Sequence, residues 1–353
     1  MTAHPIARLS ADSFGTFSKI DVKFAPGLNV IVGENSAGKS QLLKLLYSAT
    51  AVLSERDRLS PSEPRRTSTN TSLAAKLVGV FRPESLGRLV NRRRGRNRCE
   101  VSVDFKRMES ALTFDFASSA RTEVKVSSVP RGWIEDTPVY FPTRELLSIY
   151  PGFASLYDER ELEFEETWRD TATLLGRPSL RGPREARAAG ILAPIEEAMG
   201  GTIAEENGRF YLRQPGVGTF EMHLVAEGLR KLGMLVRLVT SGTLLTSGYL
   251  FWDEPEANLN PRTLRHVART VIELSRAGVQ VFVATHSMFL LREFEILLSS
   301  DNEGPRVPTQ FIGLSRASGG IEVHSGPSTA DLGDITALDE ELNQSDRYFR
   351  HVS

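Results

Sequence analysis

The sequence lacks the residues that a disulfide scaffold, a cysteine-ligated zinc site or a membrane protein would need. Cys99 is the single cysteine among 353 residues, which excludes an intramolecular disulfide and a zinc site built from several cysteines. No run comes near the roughly 18 consecutive apolar residues of a membrane span, and the opening residues M-T-A-H-P-I-A-R-L-S carry no apolar segment of signal-peptide length. The sequence therefore predicts a soluble, cytoplasmic protein without a membrane partner.

The chain also lacks a net charge that would attract nucleic acid to the molecule as a whole. Lys and Arg total 43 and Asp and Glu total 44, which leaves a formal charge of −1. A local exception is the run R-R-R-G-R-N-R at 92–98, which could neutralise several phosphates. Because no aromatic residue is interleaved with it, a solvated loop or a protein-docking surface fits this run as well. Its arginines are Arg92, Arg93, Arg94, Arg96 and Arg98.

Apolar strands alternate with amphipathic helices near both ends of the chain. An apolar strand at 28–32 precedes a helix at 41–53, and the last third contains a strand at 249–252, a helix at 261–276 and a strand at 280–284. Such alternation predicts an α/β fold in which helical crossovers join parallel strands, with a mixed sheet flanked by helices.

The middle of the chain differs in composition from its two ends. Residues 54–70 are rich in Ser, Pro, Arg and Thr and predict a polar loop, whereas helices are expected at 159–175 and 183–199. The family resemblance described below implies a first part of the core (1–145), a helical insertion (146–200), a second part of the core (201–325) and a tail (326–353) with an acidic helix from Asp331.

The most specific motif is G-E-N-S-A-G-K-S at 33–40, which matches the phosphate-binding pattern G-x-x-x-x-G-K-[ST] at every specified position. It lies between a predicted strand and a predicted helix, an order that directs backbone N–H groups and the positive helix end toward phosphate oxygens. Lys39 is expected to reach the β- and γ-phosphates of ATP, and the Ser40 hydroxyl to bind Mg²⁺. The predicted nucleotide-binding residues of this segment are Gly33, Glu34, Asn35, Ser36, Ala37, Gly38, Lys39, Ser40 and Gln41.

Two later strands end in residues suited to ATP hydrolysis. Asp253 and Glu254 follow the apolar run Y-L-F-W, where Asp253 would hold Mg²⁺ through its water shell and Glu254 would act as a general base on the attacking water. A pair of exposed acids at the start of the next helix is the alternative. His286 follows the strand at 280–284 and is expected to contact the γ-phosphate, although a single histidine is more often structural. The predicted catalytic residues are Glu254, His286 and Lys39.

Five segments in this order resemble the ABC-type ATPase superfamily, and more closely the SMC/RecF/OLD-like AAA-family ATPases of DNA repair and bacterial anti-phage systems. They are G-E-N-S-A-G-K-S (33–40), F-P-T-R-E (141–145), V-A-E-G-L-R-K-L-G (225–233), W-D-E-P-E-A-N-L-N-P (252–261) and A-T-H-S (284–287). The resemblance implies a P-loop NTPase with an ABC-type nucleotide-binding core, together with an inserted helical lobe.

The resemblance assigns the Q-loop, which senses metal and γ-phosphate, to residues 142–145. This Q-loop-like segment contains no glutamine, so that Thr143, Arg144 or Glu145 would have to substitute for it. We take Arg144 as its nucleotide-binding residue.

The resemblance assigns the signature, which caps ATP from the opposite subunit, to residues 225–231. In this signature-like segment Ala226 stands where a serine is expected, which leaves the Gly228 backbone and Arg230 or Lys231 to contact the γ-phosphate. Asn258 falls in the D-loop at 258–260. The missing serine and glutamine bear on the rate of hydrolysis and not on nucleotide binding.

The implied activity is Mg²⁺-dependent ATP hydrolysis in a head-to-tail dimer or higher homo-oligomer. The expected role is that of a regulatory or sensor subunit of a multi-protein system, in anti-phage defence with a separate effector, since the last 28 or so residues are too few for a nuclease domain. A RecF-like DNA-repair or DNA-binding ATPase is the alternative. Phe14 and Phe17 could stack on adenine, although aromatic residues near first strands more often belong to the core.

Overall fold

The computed structural model of the chain describes residues 2–55, 64–91, 97–150, 152–160, 162–245, 247–299, 305–317, 319–334 and 336–352. Within these ranges the strands form three sheets and no helix combines the length and apolarity that crossing a membrane requires. In chain order the elements are β1 (Ile6–Phe14), β2 (Phe17–Lys23), β3 (Leu28–Gly33), α1 (Lys39–Ser54), α2 (Arg66–Phe81), β4 (Arg98–Phe105), β5 (Leu112–Ala117), β6 (Lys125–Ser128), β7 (Pro138–Phe141), α3 (Phe153–Glu159), α4 (Glu166–Leu175), α5 (Pro183–Met199), β8 (Thr202–Glu206), β9 (Arg209–Gln214), β10 (Gly218–Glu221), α6 (Glu227–Thr240), β11 (Tyr249–Asp253), α7 (Pro261–Ala277), β12 (Gln280–Thr285), α8 (Met288–Ser299), β13 (Thr309–Ala317), β14 (Gly320–Gly326) and α9 (Thr336–Val352).

The central sheet has the strand order β14-β13-β3-β12-β11-β7. Its strands pair in parallel except for the antiparallel β13–β14 hairpin. All residues of β3, β11 and β12 are buried, which explains why these strands read as continuous apolar runs. Because β12 alone separates β3 from β11, their carboxyl ends lie about 10 Å apart along the sheet edge.

A second, antiparallel sheet has the order β2-β1-β4-β5-β6 and packs with α1 and α2 around its own apolar core. Phe14 and Phe17 belong to this core and are both 0% exposed. They therefore offer no face to an adenine ring, and the alternative that they are core residues is the correct one. A third, small sheet has the order β10-β9-β8.

The segment 146–200 contains α3, α4 and α5 and packs on the rest of the core. α5 lies against α6 and α7, and α4 lies against β7 and α2. Ile195 of α5 and Val271 of α7 belong to the same apolar cluster as the central strands, and both are fully buried. The part boundaries assigned from the sequence remain predictions.

Two local predictions were wrong. The polar loop expected at 54–70 ends earlier than predicted, because α2 begins at Arg66 and buries Thr69, Leu73 and Leu77 at helical spacing; residues 56–63 lie outside the described ranges. The helix expected at 159–175 begins only at Glu166, as α4, and a break separates it from α3 at Phe153–Glu159, which was not expected. The break lets Phe164 pack its ring against Phe153, at 5.5 Å between centroids.

Candidate functional site

The phosphate-binding motif forms a tight loop between β3 and α1. Gly38 has a φ of 94°, and a Cβ at this position would lie 2.5 Å from the Phe17 ring, so the loop requires glycine here. No side chain caps the N-terminus of α1, and its first turn carries no acidic residue. The first N–H groups of the helix are therefore available to an anion.

Lys39 lies folded over this loop. Its Nζ donates hydrogen bonds to the carbonyl oxygens of Gly33 at 2.7 Å and Glu34 at 3.0 Å. Burial lowers the pKa of Lys39, and the nearby carboxylates of Glu254 and Asp253 oppose that effect. The ammonium group therefore lies within the phosphate-binding loop, at the place where a bound phosphate group is expected.

Asp253 ends β11 and is buried. The Tyr140 hydroxyl donates a hydrogen bond of 3.1 Å to Asp253 Oδ2, whereas Oδ1 is buried without a hydrogen-bond partner among the described residues. Burial raises the pKa of Asp253, and the hydroxyls of Ser40 and Tyr140 oppose this effect. An unpartnered carboxylate oxygen beside a serine hydroxyl is a donor set that suits Mg²⁺, so the residues present fit this ion.

Glu254 lines a cavity together with residues of the phosphate-binding loop. Its φ is 48°, in the left-handed region that non-glycine residues rarely adopt. The cavity measures about 260 Å³ and is lined by Thr16, Asn35, Ser36, Gly38, Lys39, Ser40, Gln41 and Glu254. The structure thus brings together two segments that are more than 200 positions apart in the chain.

His286 follows β12 at the same edge of the sheet. Its Nδ1 lies 3.3 Å from Glu256 Oε1 and 3.6 Å from Glu254 Oε1. Glu256 Oε1 also accepts hydrogen bonds from the His286 backbone N–H at 3.0 Å and from the Thr285 hydroxyl at 2.7 Å. Sequence reasoning missed Glu256, although it is the third carboxylate in the run D-E-P-E.

Gln41 and Arg144 have different surroundings. Gln41 Oε1 accepts hydrogen bonds from the Thr16 backbone N–H at 2.9 Å and from its hydroxyl at 3.2 Å, which ties the start of α1 to the β1–β2 turn.

Arg144 is exposed just after β7, whereas the neighbouring Glu145 is buried. The Glu145 carboxylate forms an ion pair with Arg230 at 2.8 Å, so this residue joins the Q-loop-like segment to α6.

The signature-like segment begins α6 and divides into exposed and buried residues. Ala226 is the exposed N-cap of the helix and provides no side-chain cap. Gly228 is buried against the exposed Asn258, where a Cβ would lie 2.4 Å from the Asn258 carbonyl oxygen. Lys231 is 1% exposed and its Nζ donates to the Glu254 carbonyl oxygen at 2.7 Å. Lys231 is thus hydrogen-bonded within its own chain, and its expected contact with the γ-phosphate held by a second copy remains a prediction.

The arginine run is largely outside the described residues, which exclude Arg92, Arg93, Arg94 and Arg96. Arg98, at the start of β4, forms an ion pair of 2.6 Å with Asp115 on the neighbouring strand.

Comparison with known proteins places the chain in a family. Residues 28–292 match the model of the family described as AAA domain, putative AbiEii toxin, Type IV TA system. The chain belongs to this family. The matched range of this AAA-family protein includes the phosphate-binding loop, the Asp253–Glu254 pair and His286.

Curated relatives of this AAA-family chain include two DNA replication and repair proteins RecF. The protein from Streptococcus uberis is 32% identical over 72 residues, which cover 20% of each chain. The protein from Halalkalibacterium halodurans is 37% identical over 51 residues, which cover 14% of each chain. The chain therefore matches at most about a fifth of the length of these relatives.

Solved SMC head domains share the fold of the whole chain. An SMC head bound to the C-winged helix domain of ScpA matches with a TM-score of 0.54 at 16% identity, covering 91% of this chain and 97% of that one. The Pyrococcus furiosus SMC head with an extended coiled coil, bound to the C-terminal domain of ScpA, also gives 0.54, at 14% identity and coverages of 98% and 99%. The predicted SMC/RecF-like P-loop ATPase family and the α/β fold class are confirmed.

Proposed function

We propose that this chain binds and hydrolyses Mg²⁺-ATP and acts as a dimerising regulatory subunit. The observation that carries this proposal is the shared cavity of the phosphate-binding loop and Glu254, with the unpartnered Asp253 Oδ1 beside Ser40. Transfer of a phosphoryl group to water needs hydrogen-bond donors to the phosphate oxygens, a pair of metal ligands and a carboxylate base. In this chain the candidates for all three lie close together.

Each residue has a distinct role in the proposed reaction. Ser40 and Asp253 would hold Mg²⁺, which neutralises charge on the β- and γ-phosphates. Lys39 exchanges its loop carbonyls for phosphate oxygens and orients the triphosphate. Glu254 accepts a proton from the attacking water, and His286, held by Glu256, donates a hydrogen bond toward the γ-phosphate.

Dimerisation would complete the site with groups from a second copy. The N-terminus of α6 is exposed at Ala226 and Glu227 and has no side-chain cap, which leaves its first N–H groups without an intrahelical partner. Glu227 places an acid in this turn, so the partner's Mg²⁺ would have to offset its charge. In a head-to-tail pair, this helix end would face the triphosphate held by the partner's loop. Since Ala226 offers no hydroxyl, backbone N–H groups would make the contact.

A regulatory role in anti-phage defence, with a separate effector protein, draws its support from the family description. That description names a putative AbiEii toxin of a type IV toxin–antitoxin system. ATP-driven closing and opening of a dimer would then control the effector.

The direct test uses the purified chain with ATP, with and without Mg²⁺. We expect saturable nucleotide binding by calorimetry, phosphate release that requires Mg²⁺, and a larger species by light scattering when ATP is present. No binding at millimolar ATP would contradict the proposal. Affinity purification with the products of neighbouring genes tests the effector, and recovery of membrane permeases alone would contradict the defence role.

A DNA-binding ATPase is the second candidate, and the partial similarity to RecF favours it. It predicts duplex binding that weakens steeply with salt and is lost when Arg92, Arg93 and Arg94 are changed to alanine. Binding that is absent or insensitive to salt would remove this candidate.

A further inference from the structure

Helix α6 is fastened at two points to the loop 254–260, which carries Glu254. In the first turn of the helix, Gly228 lies so close to this loop that a Cβ would be 2.4 Å from the Asn258 carbonyl oxygen. About one turn later, Lys231 Nζ donates a hydrogen bond of 2.7 Å to the Glu254 carbonyl oxygen. The signature-like segment and the proposed general base are therefore joined within one protomer.

Lys231 is an unusual partner for a backbone carbonyl because it is a buried charge. It is 1% exposed, and among the described residues the Glu254 carbonyl is its one hydrogen-bond acceptor. Lys76, which is 6% exposed, instead lies against the carboxylates of Glu166 at 2.6 Å and Asp170 at 3.3 Å. Burial lowers the pKa of Lys231 to about 8. The nearby carboxylates of Glu256, Glu254 and Asp253 oppose this effect of burial. The direct contact of the ammonium group, however, is with the Glu254 carbonyl oxygen.

The residue that it holds has a strained backbone. Glu254 has a φ of 48°, a conformation that surrounding contacts must maintain in a non-glycine residue. Its N–H donates to the Ala284 carbonyl oxygen at 2.9 Å, and its own carbonyl accepts from Lys231 Nζ at 2.7 Å and from the Ala257 N–H at 3.1 Å. Lys231 is therefore the side-chain donor of the two, and Ala257 is the donor within the loop itself. The peptide groups on both sides of the Glu254 Cα are thus fixed, which sets the direction of its side chain into the cavity with Lys39 and Ser40.

We infer that Lys231 is a positioning residue that holds the Glu254 carboxylate in place for proton transfer from the attacking water. The inference rests on the proposed function and deepens it. Because the same helix begins at Ala226, movement of α6 on contact with a second copy's nucleotide would pass through Lys231 to Glu254. Nucleotide bound to the loop of one copy would then change the position of Glu254 in the other copy.

The test compares Lys231→Met, which removes the donor and the charge, with Lys231→Arg, which keeps both. Lys23→Met makes the same change on an exposed lysine at the far end of β2 and is the control. Equilibrium binding of a fluorescent ATP analogue and steady-state kcat are measured for each variant, with thermal melting to confirm folding. We expect Lys231→Met to lower kcat at least about 10-fold while affinity stays within about 2-fold, and Lys231→Arg to recover part of the loss.

The outcomes separate this inference from the proposed function. Wild-type kcat in a folded Lys231→Met variant overturns the inference alone. Equal losses of affinity and kcat in both variants, with a lowered melting temperature, assign Lys231 a purely structural role and also overturn it. If Lys231→Met does not fold, hydrogen exchange is measured in a folded Lys231→Gln variant at the amides of Glu254, Glu256, Ala257 and Asn258. Exchange rates equal to those of the wild type would overturn the inference as well. Absence of ATP hydrolysis by the wild type and by Lys23→Met overturns the proposed function and the inference together.

Discussion

The two halves of the candidate site are built in different ways. The phosphate-binding half comes from one short stretch, 33–41, in which the strand, the loop and the helix end set the geometry locally. The signature-like half depends on contacts between distant segments: Glu145 with Arg230, Gly228 with Asn258, and Lys231 with Glu254. The comparison predicts that substitutions in one half will impair nucleotide binding and substitutions in the other will impair hydrolysis.

The halves also differ in how closely they follow a motif. The phosphate-binding half matches its pattern at every position, whereas the other half has Ala226 in place of a serine and no Q-loop glutamine. In the structure, the positions around these departures carry charged contacts instead, between Glu145 and Arg230 and between Lys231 and the Glu254 carbonyl. The variants that follow test each half in turn.

Lys39→Ala is expected to have the largest effect, because it removes the cation from the phosphate-binding half. Two charge-assisted hydrogen bonds to phosphates, at about 1.5–3 kcal/mol each, correspond to a loss of affinity of about 100-fold to 10,000-fold. Calorimetric titration with Mg²⁺-ATP measures it, with the exposed Lys23→Ala as the control. Micromolar affinity in Lys39→Ala would show that the loop has been assigned wrongly.

Glu254→Gln should separate hydrolysis from nucleotide binding most clearly. The amide cannot accept a proton from water, so hydrolysis should fall about 100-fold or more while nucleotide affinity is kept. Phosphate release measures the first effect, and light scattering should show an accumulated ATP-bound dimer. A normal rate of hydrolysis would exclude Glu254 as the base.

Lys231, in the signature-like half, should make the unfolding free energy of the protein depend on pH. Its pKa is about 8 in the folded protein because burial lowers it from 10.5, so above pH 8 the unfolded chain holds more protons at this residue than the folded one. The unfolding free energy of the wild type should therefore rise relative to that of Lys231→Met by about 1 to 2 kcal/mol between pH 8 and pH 10. Urea denaturation at several pH values measures this difference, and parallel pH curves for the two proteins would contradict it.

Gln41→Ala should have the smallest effect, at the edge of the phosphate-binding half. It removes two hydrogen bonds to Thr16, each worth about 0.5–1.5 kcal/mol, and loosens the β1–β2 turn beside the cavity. We expect nucleotide affinity to fall about 2-fold to 10-fold without a change in kcat, and titration with the fluorescent analogue measures this. A change in kcat alone would place Gln41 with the hydrolytic groups instead.

The sequence predicted those parts of the molecule that depend on neighbours in the chain. The strands that became β3, β11 and β12 were readable because strands buried on both faces are continuously apolar. Helix α2 was missed because its first turns carry Arg, Thr, Ser and Asn, residues typical of loops. Its helical state depends on burial of Leu73 and Leu77 against partners far away in the chain.

By itself the sequence determined the phosphate-binding loop, the acid pair and the strands that precede them in the chain, because these features depend on local spacing and on the chemistry of single residues. Tertiary structure alone decided that Glu256 holds His286 and that Lys231 turns inward to the Glu254 carbonyl. A lysine next to a helix start reads as a surface cation until the packing of α6 against the loop 254–260 buries it. The physical reason is that burial and hydrogen-bond partners are properties of contacts between distant segments, which a single linear pattern does not contain.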